Sequence, residues 1–538
     1  MSQSTSSRNE QNASTTQSVS SLNINEAGLE DVLSPTLLPS GRRISNRLVK
    51  VALYEHLADL FGGPPNDAHL CLYRRWAESN WGMIITGNVQ VCDDHLSLGR
   101  DIVVPPILSQ GTIRPFANLA AVIHRNNLDP SHTPLAIMQL SHSGRQSANI
   151  IGGRAPFYPP FAPSSVPLRL SPKGGIFGTL LHRFLFQTPR EIGTQDIDGI
   201  INGFLRGAAL ASLSGFDGVE LHAGHGYLLS QFMNPKTNLR TDEYSVTENG
   251  LAFLKKILFT IRSSDDIPGD FVVGIKLNAG DYIDKDTKEI MNTEKTDLPF
   301  QHVKEIASWG TVDFIEISGG NYEHPDFMNN GPRRSSRQAL FADFSRRVVT
   351  LLDTQRMDSK QQPPLVLLTG GLCSPELLTT ALSKRHADLL GIGRLSVICP
   401  DLPARLAKHI QDPKSSGEDS IPEDFRFSGL SQVERTLARI LSLAWNLIPT
   451  LLRPQFPSLV GAGVEMARYN VAIRSLAYGK KEPETSEGIF AVIRMWLYLS
   501  PGSNTTHTLE RRLLWTSIAG VYVLSAVLLA WAVTILRQ

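Results

Sequence analysis

Short apolar runs recur through the middle of the chain, and longer stretches with apolar residues at helical spacing lie between them. The runs are almost continuously apolar, which is typical of parallel strands covered by helices. Eight such runs occur, at 46–53, 82–87, 134–140, 216–222, 271–277, 312–318, 364–370 and 388–394. The helical pattern is clearest at 69–80, 196–215 and 374–386.

This alternation predicts an α/β fold, a (β/α)8 TIM barrel with insertions over residues 35–411. An open doubly wound sheet is the alternative. That fold would need a Gly-x-Gly-x-x-Gly turn after its first strand, and none follows Leu53. In a barrel, the residues that perform chemistry lie at the C-terminal ends of the strands and in the loops that follow.

The two ends of the chain differ from the middle. Residues 1–34 begin with a run rich in Ser, Thr, Asn and Gln, which predicts a disordered polar tail. Residues 513–536 contain 24 residues without a charge, long enough to span a hydrocarbon core about 30 Å thick. We interpret this segment as a transmembrane helix of a tail-anchored protein whose barrel faces the cytosol, with a buried core helix as the alternative.

Residues 412–512 are predicted to form a linker and a helical extension. Within it, the basic amphipathic stretch 435–456 is expected to pack against the barrel, and lying in the membrane interface is the other possibility. The apolar and basic segment 154–187 fits an active-site lid, a membrane-facing surface or a variable surface insertion.

Composition narrows the possible functions. The 52 Lys and Arg residues nearly balance the 51 Asp and Glu residues, so the net charge of +1 gives no support for nucleic-acid binding. The four cysteines show no Cys-x-x-Cys spacing, which argues against a disulfide framework and a metal–sulfur site. We therefore expect no metal.

Polar residues and glycines collect at the ends of the predicted strands. The polar set contains a glutamine, a lysine, an asparagine, a tyrosine and two histidines three positions apart. Glycines and an arginine follow the last two strands. These residues are Asn88, Gln139, His222, His225, Tyr227, Lys276, Gly370, Gly371, Gly393 and Arg394. The glycines and the arginine suit a phosphate site, although glycine also simply permits tight turns.

The histidine pair can aim at one ligand oxygen, and a phenol two residues further on can donate a proton. A metal pair and ordinary loop polarity are the alternatives for His222 and His225, but no third ligand of clear spacing is evident. Gln139 is either a satisfied core amide or a group that hydrogen-bonds to the edge of a ligand ring.

Several stretches carry a resemblance to a known family. They include NRLVKVAL, QLSHSGRQ, GIKLNAGD and LLGIGR, and the most specific is HAGHGYLLSQF at 222–232. They resemble the Old Yellow Enzyme family of FMN-dependent NAD(P)H:flavin oxidoreductases, in the branch whose motif has a second His at the position of His225. The resemblance covers roughly residues 35–405. It implies a barrel that binds FMN non-covalently, is reduced by NADH or NADPH, and is reoxidised by an α,β-unsaturated carbonyl compound.

The resemblance also implies a role for each site residue. Gln139 and Lys276 would meet the pyrimidine edge of the flavin, with Val51, Ala52 and Leu53 beneath the ring, Asn88 near it, and Gly370, Gly371, Gly393 and Arg394 at the phosphate. His222 and His225 would hold the substrate carbonyl, and Tyr227 would protonate the α-carbon. Tyr54 stands where relatives carry a small residue near the flavin.

Together these observations predict a membrane-tethered ene reductase that works by ping-pong hydride transfer on a small enone. The oligomeric state is left open. One alternative is an FMN-binding redox sensor or scaffold at a membrane, without ene-reductase turnover. Another is a flavin-free barrel that uses the phosphate site for a sugar phosphate.

Overall fold

The computed structural model describes residues 26–125, 132–169, 175–246, 250–279, 298–319, 334–358, 362–412, 436, 458–481, 483 and 488–496. Its centre is a closed barrel of eight parallel strands, each within a predicted apolar run or one residue beyond it. In chain order they are Leu48–Lys50, Met83–Ile85, Leu135–Ser141, Gly218–Ala223, Val272–Asn278, Phe314–Ser318, Leu365–Thr369 and Leu389–Ile392.

The barrel closes because the eighth strand pairs with the first, Leu390 opposite Leu48. Every other neighbouring pair of strands is also parallel. The predicted (β/α)8 barrel is confirmed, and the open sheet is excluded. Short strands outside the barrel are Thr36–Leu37, Arg43–Ile44, Val89–Gln90, Ile102–Val103, Phe161–Ala162 and Arg190–Glu191.

Helices surround the barrel, and local sequence fixes where several begin. Asn66 caps the helix Asp67–Ala77 and Ser109 caps Gln110–His124, each by accepting a hydrogen bond from a free backbone N–H. The other helices of the described barrel region are Gly175–Leu185, Thr194–Leu213, Leu228–Met233, Ala252–Arg262, Leu298–Ser308, Arg334–Asp358, Pro375–Ser383, Leu395–Ile398 and Leu402–Gln411.

The barrel interior is packed on the side away from the C-terminal strand ends. Phe314 fills this space, and a Cβ atom at Gly274 would lie only 2.1 Å from its ring. Residue 274 must therefore lack a side chain. A larger core between strands and helices includes the fully buried Trp76 and Phe204. A rigid, filled base leaves the opposite end of the barrel open for a ligand.

Part of the predicted disordered tail has regular structure. Residues assigned to the disordered tail form a helix, Glu26–Val32, which packs against the helix Pro375–Ser383. Leu29 and Val32 are 1% and 0% exposed, so this short segment buries enough apolar surface to be ordered. The boundary at residue 34 was wrong for this part of the tail, and residues 1–25 lie outside the described residues.

Two helices of the C-terminal extension are described, Ser458–Ala477 and Gly488–Trp496. They pack against each other, and the first also packs against Asp67–Ala77. Apart from residue 436, the stretch 435–456 lies outside the described residues, as does the predicted span 513–536. Within the part of the chain that is described, no helix combines the length and the apolar character needed to cross a membrane.

Candidate active site

A cavity of about 320 Å3 opens at the C-terminal ends of the barrel strands. All thirteen predicted site residues line it: Val51, Ala52, Leu53, Asn88, Gln139, His222, His225, Tyr227, Lys276, Gly370, Gly371, Gly393 and Arg394. Tyr54 lines it as well. Residues from seven separate stretches of sequence thus meet at one site, whereas their individual roles stay predictions.

His222 and His225 stand side by side, with ring centroids 5.0 Å apart. Burial has the largest effect on the pKa of His222 and, with the nearby His225 and Lys276, holds it well below its usual value. Burial, with a smaller effect of Lys276, lowers the pKa of His225 to about 3. Both rings are therefore neutral at neutral pH, and each has one N–H to donate.

The local backbone sets the orientation of this pair. His222 Nδ1 accepts a hydrogen bond of 3.2 Å from the backbone N–H of Gly224, so Nε2 carries the proton of the neutral ring. His225 has a φ of +54°, which is unusual for a residue with a side chain. The carbonyl of His225 accepts a hydrogen bond of 2.6 Å from Gln146 Nε2. The Nε2 atom of the His225 ring lies 3.3 Å from Ser318 Oγ.

Tyr227 is 5% exposed, and its ring centroid lies 4.8 Å from that of His222. Asn88 Nδ2 donates to its hydroxyl at 3.3 Å, and Ser97 Oγ is also 3.3 Å away. Ser97 Oγ in turn accepts a hydrogen bond of 2.9 Å from Gln90 Nε2. Two neutral donors can therefore stabilise the phenolate if Tyr227 gives up its proton.

Two buried pairs lie beside the cavity on adjacent strands. Gln139 Nε2 donates to Glu220 at 2.5 Å, and Lys276 Nζ forms an ion pair with Glu316 at 2.7 Å. Burial, followed by the nearby Glu316, raises the pKa of Glu220 well above its ordinary value. This shift favours the protonated form of Glu220, and Lys276 is held in place by the carboxylate of Glu316.

The glycines and Arg394 form the opposite end of the cavity. Gly370 and Gly371 have φ of +127° and +73°, conformations that favour glycine. Gly393 lines the cavity beside Val51 and Leu53, and a Cβ atom there would be in ordinary contact, 3.7 Å, with side-chain atoms of both. Backbone N–H groups and a guanidinium at one end suit a phosphate.

Comparison with known proteins identifies the kind of site. Residues 36–413 match the NADH:flavin oxidoreductase / NADH oxidase family. The chain belongs to this family. As a family member it is an oxidoreductase that uses FMN with NADH or NADPH. The donor set fits that cofactor, since Gln139 and Lys276 can serve a polar ring edge and Arg394 a phosphate.

Two relatives and one solved structure illustrate the match. The NADH-dependent flavin oxidoreductase iliE of Neonectria sp. (strain DH2) is 37% identical over 375 residues, which are 69% of this chain but only 46% of that protein. The iliE protein of Hypocrea jecorina (strain QM6a) is 34% identical over 69% of this chain and 87% of its own length. A solved old yellow enzyme homologue from Zymomonas mobilis shares the fold, with a TM-score of 0.52 and 19% identity over 73% of this chain and 96% of its own.

The flavin oxidoreductase site also contains residues that the sequence did not single out. Phe341, Thr369 and Cys373 line the cavity, and four more side chains come from the extension helix: Met466, Tyr469, Asn470 and Ile473. The extension residues follow a helical i, i+3, i+4, i+7 spacing, which predicts one shared face. Spacing identifies that face, but it does not reveal what the face contacts.

Proposed function

We propose that this protein reduces the activated C=C bond of α,β-unsaturated carbonyl compounds by ping-pong hydride transfer, with FMN as cofactor. The observation that carries the proposal is the arrangement of His222, His225 and Tyr227 in one cavity with Lys276 and Arg394. Gln139, Lys276 and Arg394 would hold FMN, which would supply the hydride chemistry between the nicotinamide and the alkene. The protein's own residues provide the rest.

The histidine pair binds and polarises the substrate. Because both rings are neutral, the Nε2–H of His222 and an N–H of His225 can donate to one carbonyl oxygen without a net charge to neutralise. These hydrogen bonds strengthen as negative charge develops on the oxygen, and they draw electron density away from the β-carbon. An uncharged donor pair also avoids burying a second cation near Lys276.

Tyr227 supplies the proton to the α-carbon. Its hydroxyl lies 3.3 Å from both Asn88 Nδ2 and Ser97 Oγ, which hold it in position. The same two groups can stabilise the phenolate once the proton has been transferred. An NADPH dehydrogenase from Geobacillus sp. (strain WCH70) and a putative 12-oxophytodienoate reductase 4 from Oryza sativa subsp. japonica are relatives at 27% and 32% identity. Their names support a nicotinamide reductant and a small unsaturated acceptor.

The experiment is anaerobic reoxidation of the NADH-reduced protein by 2-cyclohexenone. The variant His222→Ala/His225→Ala should retain FMN but lose most of the rate, because two hydrogen bonds to the developing oxyanion are absent. The matched control is His409→Ala, which removes a histidine from the helix Leu402–Gln411, away from the cavity. Unchanged reoxidation by the double variant would contradict the carbonyl-binding role. If no enone reoxidises the wild type, the membrane redox sensor becomes the better explanation.

We also propose that residues 513–536 anchor the enzyme in a membrane, with the barrel on the cytosolic side. The 24 residues without a charge support this assignment, as do Arg511 and Arg512 immediately before them. Full-length protein should stay in the membrane pellet after alkaline carbonate washing, and a chain ending at residue 512 should not. Pelleting of both forms, or of neither, would contradict the anchor.

A further inference from the structure

The helix Ser458–Ala477, which we call the cavity helix, lies outside the residues that match the family, 36–413. It nevertheless forms part of the cavity wall through Met466, Tyr469, Asn470 and Ile473. A segment beyond the family barrel thus contributes side chains to the site where the family cofactor is expected.

The cavity helix is packed into the same core as the barrel. Its apolar residues in that core are Ala472, Ile473, Leu476 and Ala477. Arg474 is 1% exposed and donates to the carbonyls of Arg494 at 2.9 Å and Met495 at 3.3 Å. Its Nη2 also lies 3.4 Å from Nδ1 of His56. Burial and Arg474 hold the pKa of His56 well below its usual value, so the neutral ring can accept this hydrogen bond.

The cavity helix meets the end of the cavity that carries the phosphate-binding residues. The ring of Tyr469 lies with its centroid 5.7 Å from Cζ of Arg394, a distance compatible with a cation–π contact. The helix also packs against Leu395–Ile398, which begins directly after Arg394. Tyr469 can therefore restrict the positions that the Arg394 guanidinium adopts.

Asn470 is the most informative residue of this wall. It is 1% exposed, and its Oδ1 has no hydrogen-bond partner among the described residues. Its Nδ2 has only a long contact of 3.6 Å to Met495 Sδ. Thr369 Oγ1, in the same cavity, likewise has no partner in the described part of the chain. Buried polar groups are nearly always satisfied, so these atoms indicate a polar ligand.

We propose that the cavity helix is part of the flavin site, in which Asn470 hydrogen-bonds to FMN at its ribityl phosphate end. Tyr469 is a positioning residue that holds Arg394 for the phosphate. An amide suits this end because it can both donate to a phosphate oxygen and accept from a ribityl hydroxyl. The inference rests on the proposed function only through FMN, and it does not depend on the electron acceptor.

The test measures flavin binding to the full-length apoprotein by quenching of flavin fluorescence. Asn470→Leu and Tyr469→Ala should each weaken FMN binding by about three- to tenfold, the worth of one hydrogen bond or cation–π contact. Tyr469→Phe keeps the aromatic ring and should bind FMN like the wild type. Ile493→Ala, at a residue 39% exposed on the neighbouring helix Gly488–Trp496, is the matched control.

Riboflavin, which lacks the phosphate, separates the two roles. Tyr469→Ala should leave riboflavin affinity unchanged, because Arg394 then has no phosphate to hold. Wild-type FMN affinity in both Asn470→Leu and Tyr469→Ala would overturn the inference, and so would an effect confined to the KM for the enone. Tyr469 is only half-buried, so its variants stay informative if Asn470→Leu fails to fold. A wild-type protein that binds no flavin would instead overturn FMN as the cofactor and this inference with it.

Discussion

Removal of the Tyr227 hydroxyl should separate the two halves of the reaction. Tyr227→Phe keeps the ring, whose centroid lies 4.8 Å from that of the His222 ring. It removes the hydroxyl that we propose as the proton donor, which also accepts a hydrogen bond from Asn88 and contacts Ser97 Oγ. We expect reduction by NADH at nearly the wild-type rate. Reoxidation by an enone should slow by about 10³-fold, within the range of about 10² to 10⁴ for a positioned general acid.

The neighbours of Tyr227 give a graded second variant. Ser97→Ala removes one of the two groups at 3.3 Å that can donate to the phenolate. A hydrogen bond to a charged acceptor contributes about 1.5 kcal/mol or more, which corresponds to a slowing of roughly tenfold. Reoxidation should therefore be fastest in the wild type, slower in Ser97→Ala and slowest in Tyr227→Phe.

Stopped-flow absorbance of the flavin under anaerobic conditions measures both half-reactions in one preparation. The NADH half-reaction serves as the internal control, because it requires bound FMN and a folded barrel but no proton from Tyr227. Equal reoxidation rates for Tyr227→Phe and the wild type would refute the reasoning. So would an equal slowing of both half-reactions, which would indicate general damage to the site.

Three further predictions concern the cofactor and the fold. Arg394→Ala should weaken FMN binding at least about tenfold, because a charge-assisted contact to the phosphate is lost, and titration of the apoprotein measures this. Lys276→Met leaves Glu316 buried without its partner at 2.7 Å and should destabilise the fold by about 3 kcal/mol or more in urea unfolding. Buried His69 and His302 have pKa values lowered to about 4, and His225 to about 3, so below pH 6.5 the unfolded chain binds more protons than the folded one. The free energy of unfolding should therefore be lower at pH 5.5 than at pH 7.5, although Asp101, with a pKa raised to about 6, and Glu220, with a pKa raised well above its usual value, oppose this trend.

The barrel could be predicted because its signal is local and repeated. A run such as Leu135–Ser141 is buried along its whole length, and this is what a continuously apolar strand indicates. The site could be located because residues at the C-terminal ends of parallel strands converge. His222 and Lys276 are direct cross-strand neighbours in the structure, as that rule requires.

Other features depend on tertiary contacts that no local pattern encodes. In the sequence, Asn470 is one polar residue in a helix that contains both polar and apolar residues. Only the fold places it at the cavity. The raised pKa of Glu220 requires its burial near Glu316, which lies two strands away. The helix Glu26–Val32 likewise forms through the docking of Leu29 and Val32 on the core, because a helix of seven residues is not stable by itself.

The most direct test of ene-reductase activity is an anaerobic titration of the purified full-length protein. We expect a yellow protein whose flavin band is bleached by NADH or NADPH and restored by a stoichiometric amount of enone, with formation of the saturated carbonyl product. It is contradicted if the reduced flavin persists with every enone and is reoxidised only when air is admitted.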